Sequence, residues 1–244
     1  MIFLELVPHN MDQLQKDASW ALSNFKTISG INIPDILRLN NRSYDAVKPL
    51  AKQNITTIPH IRICDFEMNA LILLCKNLID NGVHQVLLIS GDPPPNPLQP
   101  VFDHNIIEVI KIITTSFPNL TIFAGHDPYR QSLKAEFDYT EKKLAAGAKG
   151  VFTQPIFDLN LAKLLLNLPI SGEWFIGISP VFTKPSYDYW TTRNNVVFPN
   201  GFACTEEHNT AIAKDILNLC AEKNMHNYIM PIKADTKYYL NAIL

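Results

Sequence analysis

Glu5 is the first residue whose type and surroundings suggest chemistry. It lies inside the apolar segment Phe3-Leu4-Glu5-Leu6-Val7. A carboxyl group in a buried strand costs free energy unless it is paired or poised for proton transfer. The segment therefore makes Glu5 a candidate catalytic acid. Two structural alternatives explain Glu5 equally well: its side chain faces outward, or it forms an ion pair with Arg62.

A second carboxyl group follows another apolar segment. Residues 85–89 are typical of a buried strand, and Ser90-Gly91-Asp92-Pro93-Pro94-Pro95 comes directly after them. Prolines fix φ and would hold Asp92 in one place. Asp and Pro are also common in turns, so the segment by itself favours a simple turn.

Polar residues end the other apolar segments as well. They supply imidazole, guanidinium, carboxyl, amide and hydroxyl groups, and they are His9, Asn32, Asp35, His60, Arg62, His126, Asp127, Gln154 and Ser179. Such groups can act together only if the fold brings the segment ends to one place.

Strand-like segments alternate with helical patterns along the chain. Strands are predicted at 2–7, 30–33, 57–61, 85–89, 120–123, 150–154, 173–178 and 227–230. Helices are predicted at 11–25, 44–53, 67–80, 105–116, 132–146, 159–168 and 236–244, with more helix on both sides of Asn200.

Eight strand–helix units without a linker predict parallel strands joined by helices. A doubly wound sheet also alternates, but the dinucleotide motif G-x-G-x-x-G is absent. We therefore predict an α/β fold, a (β/α)8 TIM barrel, as a single domain over residues 1–244. Functional groups of such a barrel lie at the carboxyl ends of its strands.

Composition narrows the class of protein. A net charge of -2 and a pI near 6.4 give no field that would gather nucleic acid. The four cysteines lack C-x-x-C spacing, which favours reduced thiols over disulfides or a zinc site. No apolar run reaches the ~18 residues of a membrane span, and no signal peptide is evident. We expect a cytoplasmic protein without a metal.

Five short motifs occur in the order in which one known family carries them. They are Leu4-Glu5-Leu6-Val7-Pro8, Pro59-His60-Ile61, Ser90-Gly91-Asp92-Pro93-Pro94, the segment 146–158 and Gly177-Ile178-Ser179-Pro180-Val181. Together they resemble the methylenetetrahydrofolate reductases, with a weaker match from Tyr228 to Lys233. That family is an FAD-containing (β/α)8 barrel that reduces methylenetetrahydrofolate to methyltetrahydrofolate in one-carbon and methionine metabolism.

The resemblance implies roles on the folate side of a site. Glu5 matches the general acid that assists opening of the imidazolidine ring, and its apolar strand would give it a raised pKa. Asp92 matches the acid close to flavin and folate, where its charge tunes the flavin and steadies a cationic iminium. Gln154 matches a glutamine that contacts the pterin, since an amide both donates and accepts.

The resemblance also implies contacts with FAD. His60 matches a flavin-contacting histidine, and Ser90 and Gly91 would lend backbone contacts. Lys142 and Lys143 lie where the family places basic residues against the FAD phosphates. Without the resemblance, His60 is explained as a structural histidine, and Lys142 and Lys143 are explained as part of the solvated face of a helix.

The chain departs from the family pattern on the cofactor side. His9-Asn10 stand where the family usually has Pro-Arg, and Ser90 replaces a basic residue. The segment 124–130 lacks the family's Tyr-Pro-Glu-x-His-Pro. Arg130 could restore a phosphate partner there, because a guanidinium recognises phosphate well.

The sequence leaves open the electron donor, the oligomeric state and two alternative functions. NADH or NADPH reduces the flavin in most of the family, and a partner protein does so in some relatives; a homo-oligomer is compatible with both. A folate barrel that transfers a methyl group without redox chemistry is one alternative, and a non-catalytic folate or flavin binder is another. The chain begins on its first strand, and we expect no regulatory domain within it.

Overall fold

The computed structural model describes residues 1–94, 96 and 98–244. Its strands are β1 (Ile2–Glu5), β2 (Ile28–Ile33), β3 (Thr57–Arg62), β4 (Gln85–Ile89), β5 (Thr121–His126), β6 (Gly150–Pro155), β7 (Glu173–Ile178) and β8 (His226–Ile229). Each strand pairs in parallel with its sequence neighbours, and β1 closes the barrel against β8. The predicted (β/α)8 barrel is confirmed.

Helices surround the barrel. They are α1 (Met11–Asn24), α2 (Ser43–Ala51), α3 (Met68–Asp80), α4 (Ile106–Ser116), α5 (Leu133–Ala145), α6 (Leu159–Leu166), α7 (Lys184–Arg193), α8 (Glu206–Glu222) and α9 (Thr236–Ile243). A side-chain oxygen caps the start of many of them, as Asn105 does for α4 and Ser132 for α5. None of these helices combines the length and apolar character needed to cross a bilayer.

An aromatic layer fills the barrel interior. It consists of Phe3, Ile58, Leu87, Phe123, Phe152, Phe175, Tyr228 and Met230. The Phe152 and Phe175 rings stack with centroids 4.2 Å apart, and Phe3 meets both edge-on. Because side chains alternate along a strand, the residues two positions later on β1 and β3, Glu5 and His60, also face inward, above this layer.

A second, larger core lies between the strands and the helices. Outward-facing residues such as Leu4, Ile31, Ile61, Val86 and Leu88 are buried there beneath the apolar faces of the helices. Both faces of the sheet are therefore covered. This explains why the strands appear in the sequence as nearly continuous apolar segments.

The observed bounds differ from the predicted ones mainly at strand and helix ends. β5 continues past Phe123 to His126, because Ala124, Gly125 and His126 go on pairing with β6. The region around Asn200 is resolved into α7 and α8, with a loop between them. The added length of β5 brings His126 up to the mouth of the barrel.

Candidate active site

Glu5 and Tyr228 form a buried polar pair at the mouth of the barrel. They lie on β1 and β8, the two strands whose pairing closes the barrel. The Tyr228 hydroxyl donates a hydrogen bond to Glu5 Oε2, and the residues are 3% and 8% exposed, respectively. Burial raises the pKa of Glu5 to about 7, against the lowering effect of the hydrogen bond. A carboxyl with this pKa can give or take a proton near neutral pH.

Arg62 does not pair with Glu5. Its Nε lies 3.1 Å from Asp65 Oδ2, and no ion pair with Glu5 is found among residues 1–94, 96 and 98–244. The Glu5 side chain is also buried rather than turned to solvent. Neither of the two structural explanations offered by the sequence is therefore seen in this fold.

His60 and Asn32 extend the polar pair across β2 and β3. His60 Nε2 lies 3.4 Å from the Tyr228 hydroxyl and 3.5 Å from Asn32 Nδ2. Burial lowers the pKa of His60 to about 3, so the imidazole is neutral at physiological pH. Within the described residues, the buried Asn32 Oδ1 has no hydrogen-bond partner. Such an atom is available to a ligand or to water.

The segment after β4 is fastened to the end of β3. The Arg62 guanidinium donates to the Asp92 carbonyl, and the Cys64 N–H donates to the Ser90 carbonyl over 3.2 Å. Gly91 has φ +85°, and a Cβ there would lie 2.6 Å from Cys64 Sγ, so only glycine fits. The Asp92 side chain is exposed at the rim.

Proline stiffening of this segment remains a prediction. Pro93 and Pro94 follow Asp92 as the sequence indicated, whereas Pro95 lies outside the described residues. The contacts that fix the segment come from Arg62 and Cys64, and no sequence pattern indicated them.

A chain of buried charges holds Arg62 in place. Asp65 accepts from Arg62 and also from Arg42 Nη2 at 2.6 Å, and Arg42 Nε reaches Asp35 Oδ1 at 2.8 Å. Burial would raise the pKa of Asp65, but the two guanidinium groups outweigh it and lower that pKa. Two carboxylates and two guanidinium groups balance one another, so this cluster holds Arg62 against the segment after β4 without a net charge.

Gln154 lies at the carboxyl end of β6, on the same mouth as Glu5. It is half-buried, and the pairing of β6 with β7 is irregular between Phe152 and Pro155. The irregularity involves Thr153, whose hydroxyl donates to the Gln154 carbonyl and accepts from the Gly177 N–H. A bulge of this kind re-aims side chains at a strand end.

The predicted phosphate-binding residues divide into buried and accessible ones. Lys143 is 5% exposed; its Nζ donates to the Gly125 carbonyl at 2.6 Å and lies 3.7 Å from Glu136 Oε1. Burial lowers its pKa to about 8. Arg130 also pairs with Glu136, at 3.1 Å, but about half of its side chain is exposed. Lys142 is exposed on α5.

The accessible cations fit a diphosphate better than Lys143 does. Lys142 and Arg130 share an open surface cleft of about 400 Å³ with Gln131, Ala135, Asp138 and Tyr139. Asp138 is already paired with Lys134. Two accessible cations suit the phosphates of a dinucleotide cofactor. Lys143 would first have to leave Glu136 and Gly125, so its phosphate contact stays a prediction.

His126 is buried at the end of β5. It is 2% exposed, its Nδ1 lies 2.8 Å from Thr140 Oγ1, and its ring packs edge-on against Trp174. Burial lowers its pKa to about 4. Among the described residues, no cluster of three or more His, Cys, Asp or Glu side chains is arranged to hold a metal ion.

Comparison with known proteins identifies the family. A family model described as methylenetetrahydrofolate reductase matches residues 37–168, more than half of the chain. The chain belongs to the methylenetetrahydrofolate reductase family. The resemblance noted in the sequence is thereby confirmed. The matched segment includes His60, Asp92, Lys142 and Gln154, whereas Glu5 lies outside it.

Curated methylenetetrahydrofolate reductases are distant relatives. The 5,10-methylenetetrahydrofolate reductase of Buchnera aphidicola is 23% identical over 164 residues, which are 65% of this chain and 56% of the relative. That of Salmonella typhimurium is 21% identical over 166 residues, or 66% of this chain and 56% of the relative. The match thus spans little more than half the length of these relatives.

Solved structures share the fold of this methylenetetrahydrofolate reductase family member. A Yersinia pestis DHPS with a pterine-sulfa conjugate superposes with a TM-score of 0.57 at 16% identity, covering 100% of this chain and 90% of the other. An oxaloacetate acetylhydrolase superposes with a TM-score of 0.59 at 10% identity, covering 98% and 77%. At these identities the likeness concerns the barrel alone.

Proposed function

We propose that this chain reduces 5,10-methylenetetrahydrofolate to 5-methyltetrahydrofolate in one-carbon and methionine metabolism. The observation that carries the proposal is the Glu5 carboxyl, which is buried at the barrel mouth, unpaired with any cation of the described residues and able to hold a proton near neutral pH. Membership of the family supports the same chemistry.

Glu5 would act as the general acid. It would transfer its proton to the ring nitrogen that leaves when the folate imidazolidine ring opens, and the ionised carboxylate would be stabilised by the Tyr228 hydroxyl. Asp92 would place a negative charge near the cationic iminium that forms. Gln154 would donate to and accept from the pterin edge.

The chain's own residues suggest where FAD would sit. Lys142 and Arg130 would neutralise its diphosphate, Ser90 and Gly91 would contribute backbone contacts, and the neutral His60 would face the flavin. The reduced flavin, once bound, supplies the hydride for the exocyclic carbon. NAD(P)H or a redox partner protein would restore the reduced flavin.

Anaerobic single turnover tests the proposal. The protein is reconstituted with FAD, the flavin is photoreduced with EDTA as the electron donor, and methylenetetrahydrofolate is added in the dark while the visible flavin band is recorded. We expect the band to return in the wild type and to stay bleached in Glu5→Gln, which keeps the size of the side chain but cannot donate an acidic proton.

Other outcomes would overturn the proposal. A protein that binds folate but takes up no FAD would favour methyl transfer without redox chemistry. A protein that binds FAD and folate without returning the flavin band would favour a non-catalytic binder. Full activity of Glu5→Gln would refute the role of Glu5 as the acid.

A further inference from the structure

Tyr228 connects two buried titratable groups at the barrel mouth. Its hydroxyl donates to Glu5 Oε2 on one side and lies 3.4 Å from His60 Nε2 on the other. Its ring packs edge-on against Phe152 with centroids 5.1 Å apart, which fixes the direction of the hydroxyl. In the His60 tautomer that carries its proton on Nδ1, the one hydroxyl hydrogen therefore has two acceptors within reach.

The hydroxyl group can be satisfied in two ways. When Glu5 is ionised, the Tyr228 hydrogen belongs on the carboxylate. When Glu5 is protonated, the acid can donate to the Tyr228 oxygen, and the tyrosine hydrogen can turn to His60 Nε2. A neutral imidazole can accept it, and burial keeps the pKa of His60 low, near 3. In the first state Asn32 Nδ2, 3.5 Å away, can donate to His60 Nε2, and in the second state the tyrosine hydrogen takes its place.

We propose that Tyr228 is a hydrogen-bond switch for Glu5, donating to the Glu5 carboxylate and turning to His60 when Glu5 carries its proton. Tyr228 is a positioning residue in this scheme, because it acts through Glu5. The proton itself passes only between Glu5 and its substrate, while the tyrosine keeps its own. The inference rests on the proposed function in one respect: that function is what has Glu5 give its proton to the substrate.

The surroundings of Glu5 contain few other charges. From β8 it faces Tyr228, from β2 the uncharged Asn32, and beyond Asn32 lies His60 of β3. Burial and the Tyr228 hydrogen bond are the influences on the pKa of Glu5. Substitution of Tyr228 or His60 should therefore change the pKa at which Glu5 titrates.

Carbon-13 NMR of the ligand-free protein, labelled at glutamate carboxyl carbons, tests the switch. Glu5→Gln identifies the Glu5 signal. Tyr228→Phe keeps the ring packing but removes the hydroxyl, and we expect it to raise the pKa of Glu5 by about 1 to 2, the range for one hydrogen bond to a charged group. An unchanged pKa would overturn the proposal.

Removal of the His60 imidazole should shift the pKa of Glu5 in the opposite direction. In His60→Leu the tyrosine hydrogen has only Glu5 to bind, so the ionised carboxylate is favoured and the pKa of Glu5 should fall below the wild-type value. His60→Gln restores an acceptor and should return the pKa towards that value. A rise in His60→Leu, or no recovery in His60→Gln, would refute the switch.

The titration separates this inference from the proposed function. It uses neither folate nor flavin, so a protein that titrates as expected but does not reduce folate refutes the function alone. A protein that reduces folate while Tyr228→Phe leaves the Glu5 titration unchanged refutes the switch alone.

Discussion

Buried ionisable side chains of this protein differ in whether an opposite charge accompanies them. Lys143 lies beside Glu136, and Arg62 beside Asp65. Glu5 is equally buried but is satisfied by a neutral hydroxyl. An opposite charge offsets part of the free-energy cost of ionising a buried group, whereas a buried group without one bears that cost in full. Glu5 is therefore a residue whose burial works against stability, which is typical of a functional group.

Glu5 should make stability depend on pH in a defined window. Its pKa is about 7 in the folded protein against an ordinary value of 4.5, so the folded state binds more protons between these values. The contribution of Glu5 to the free energy of unfolding is complete below pH 4.5 and is lost as the pH rises through about 7. Glu5→Gln does not titrate, so its free energy of unfolding should gain about 3 kcal/mol on wild type across this window.

Urea unfolding at several pH values measures this difference. The exposed Glu222→Gln is the matched control and should show no comparable pH-dependent gain. A constant difference between Glu5→Gln and wild type from about pH 4.5 to about pH 8 would show that the folded-state pKa of Glu5 is not raised.

At the scale of elements, the carboxyl ends of the strands are joined by side chains rather than by the sheet alone. Arg62 at the end of β3 binds the segment that follows β4, and Asp65 and Arg42 connect it to the end of β2. Loops carry functional residues on a rigid scaffold, and these contacts make the scaffold continuous across three strands. We infer that Arg62 holds Asp92 at the rim.

Arg62→Met should loosen the segment after β4 without unfolding the barrel. Asp65 keeps Arg42 as its partner, so no buried carboxylate is left unpaired. Loss of one charged hydrogen bond, worth about 1.5 to 3 kcal/mol, should raise chymotrypsin cleavage at the exposed Leu98 about tenfold or more.

Arg130→Met is a matched control for this experiment. Arg130 likewise shares a buried carboxylate, Glu136, with a second cation, Lys143, but its side chain contacts Glu136 and Tyr139 and makes no hydrogen bond to the described residues of the segment after β4. Cleavage at Leu98 should be unchanged in this variant. Equal cleavage in both variants and wild type would show that Arg62 does not restrain the segment.

Much of this element-level arrangement was predictable, but the links between elements were not. The alternation of strand-like and helical patterns was enough to predict the barrel and most of its helices. Tyr228 was missed because its partner Glu5 is 223 residues away in the chain. Its sequence signals were its place in the last predicted strand and the weaker family match from Tyr228 to Lys233, and neither pointed to Glu5. Lys142 and Lys143 are adjacent on α5, so one faces solvent and the other the barrel, and the sequence could not say which.

At the scale of the molecule, closure of the barrel creates the candidate site. Pairing of β1 with β8 brings the first and last strands together and so joins Glu5 to Tyr228. The carboxyl ends of β4 and β6 bring Asp92 and Gln154 to the same mouth. The proposed reduction of methylenetetrahydrofolate therefore depends on the assembled mouth of the barrel and not on any one motif.

The pH dependence of single-turnover folate reduction tests the central claim most directly. The rate at which methylenetetrahydrofolate restores the flavin band should be constant below about pH 7 and should fall about tenfold for each pH unit above it, because only protonated Glu5 can act as the acid. A rate that does not change with pH between about 6 and 9, or no folate-dependent return of the band, would contradict the account.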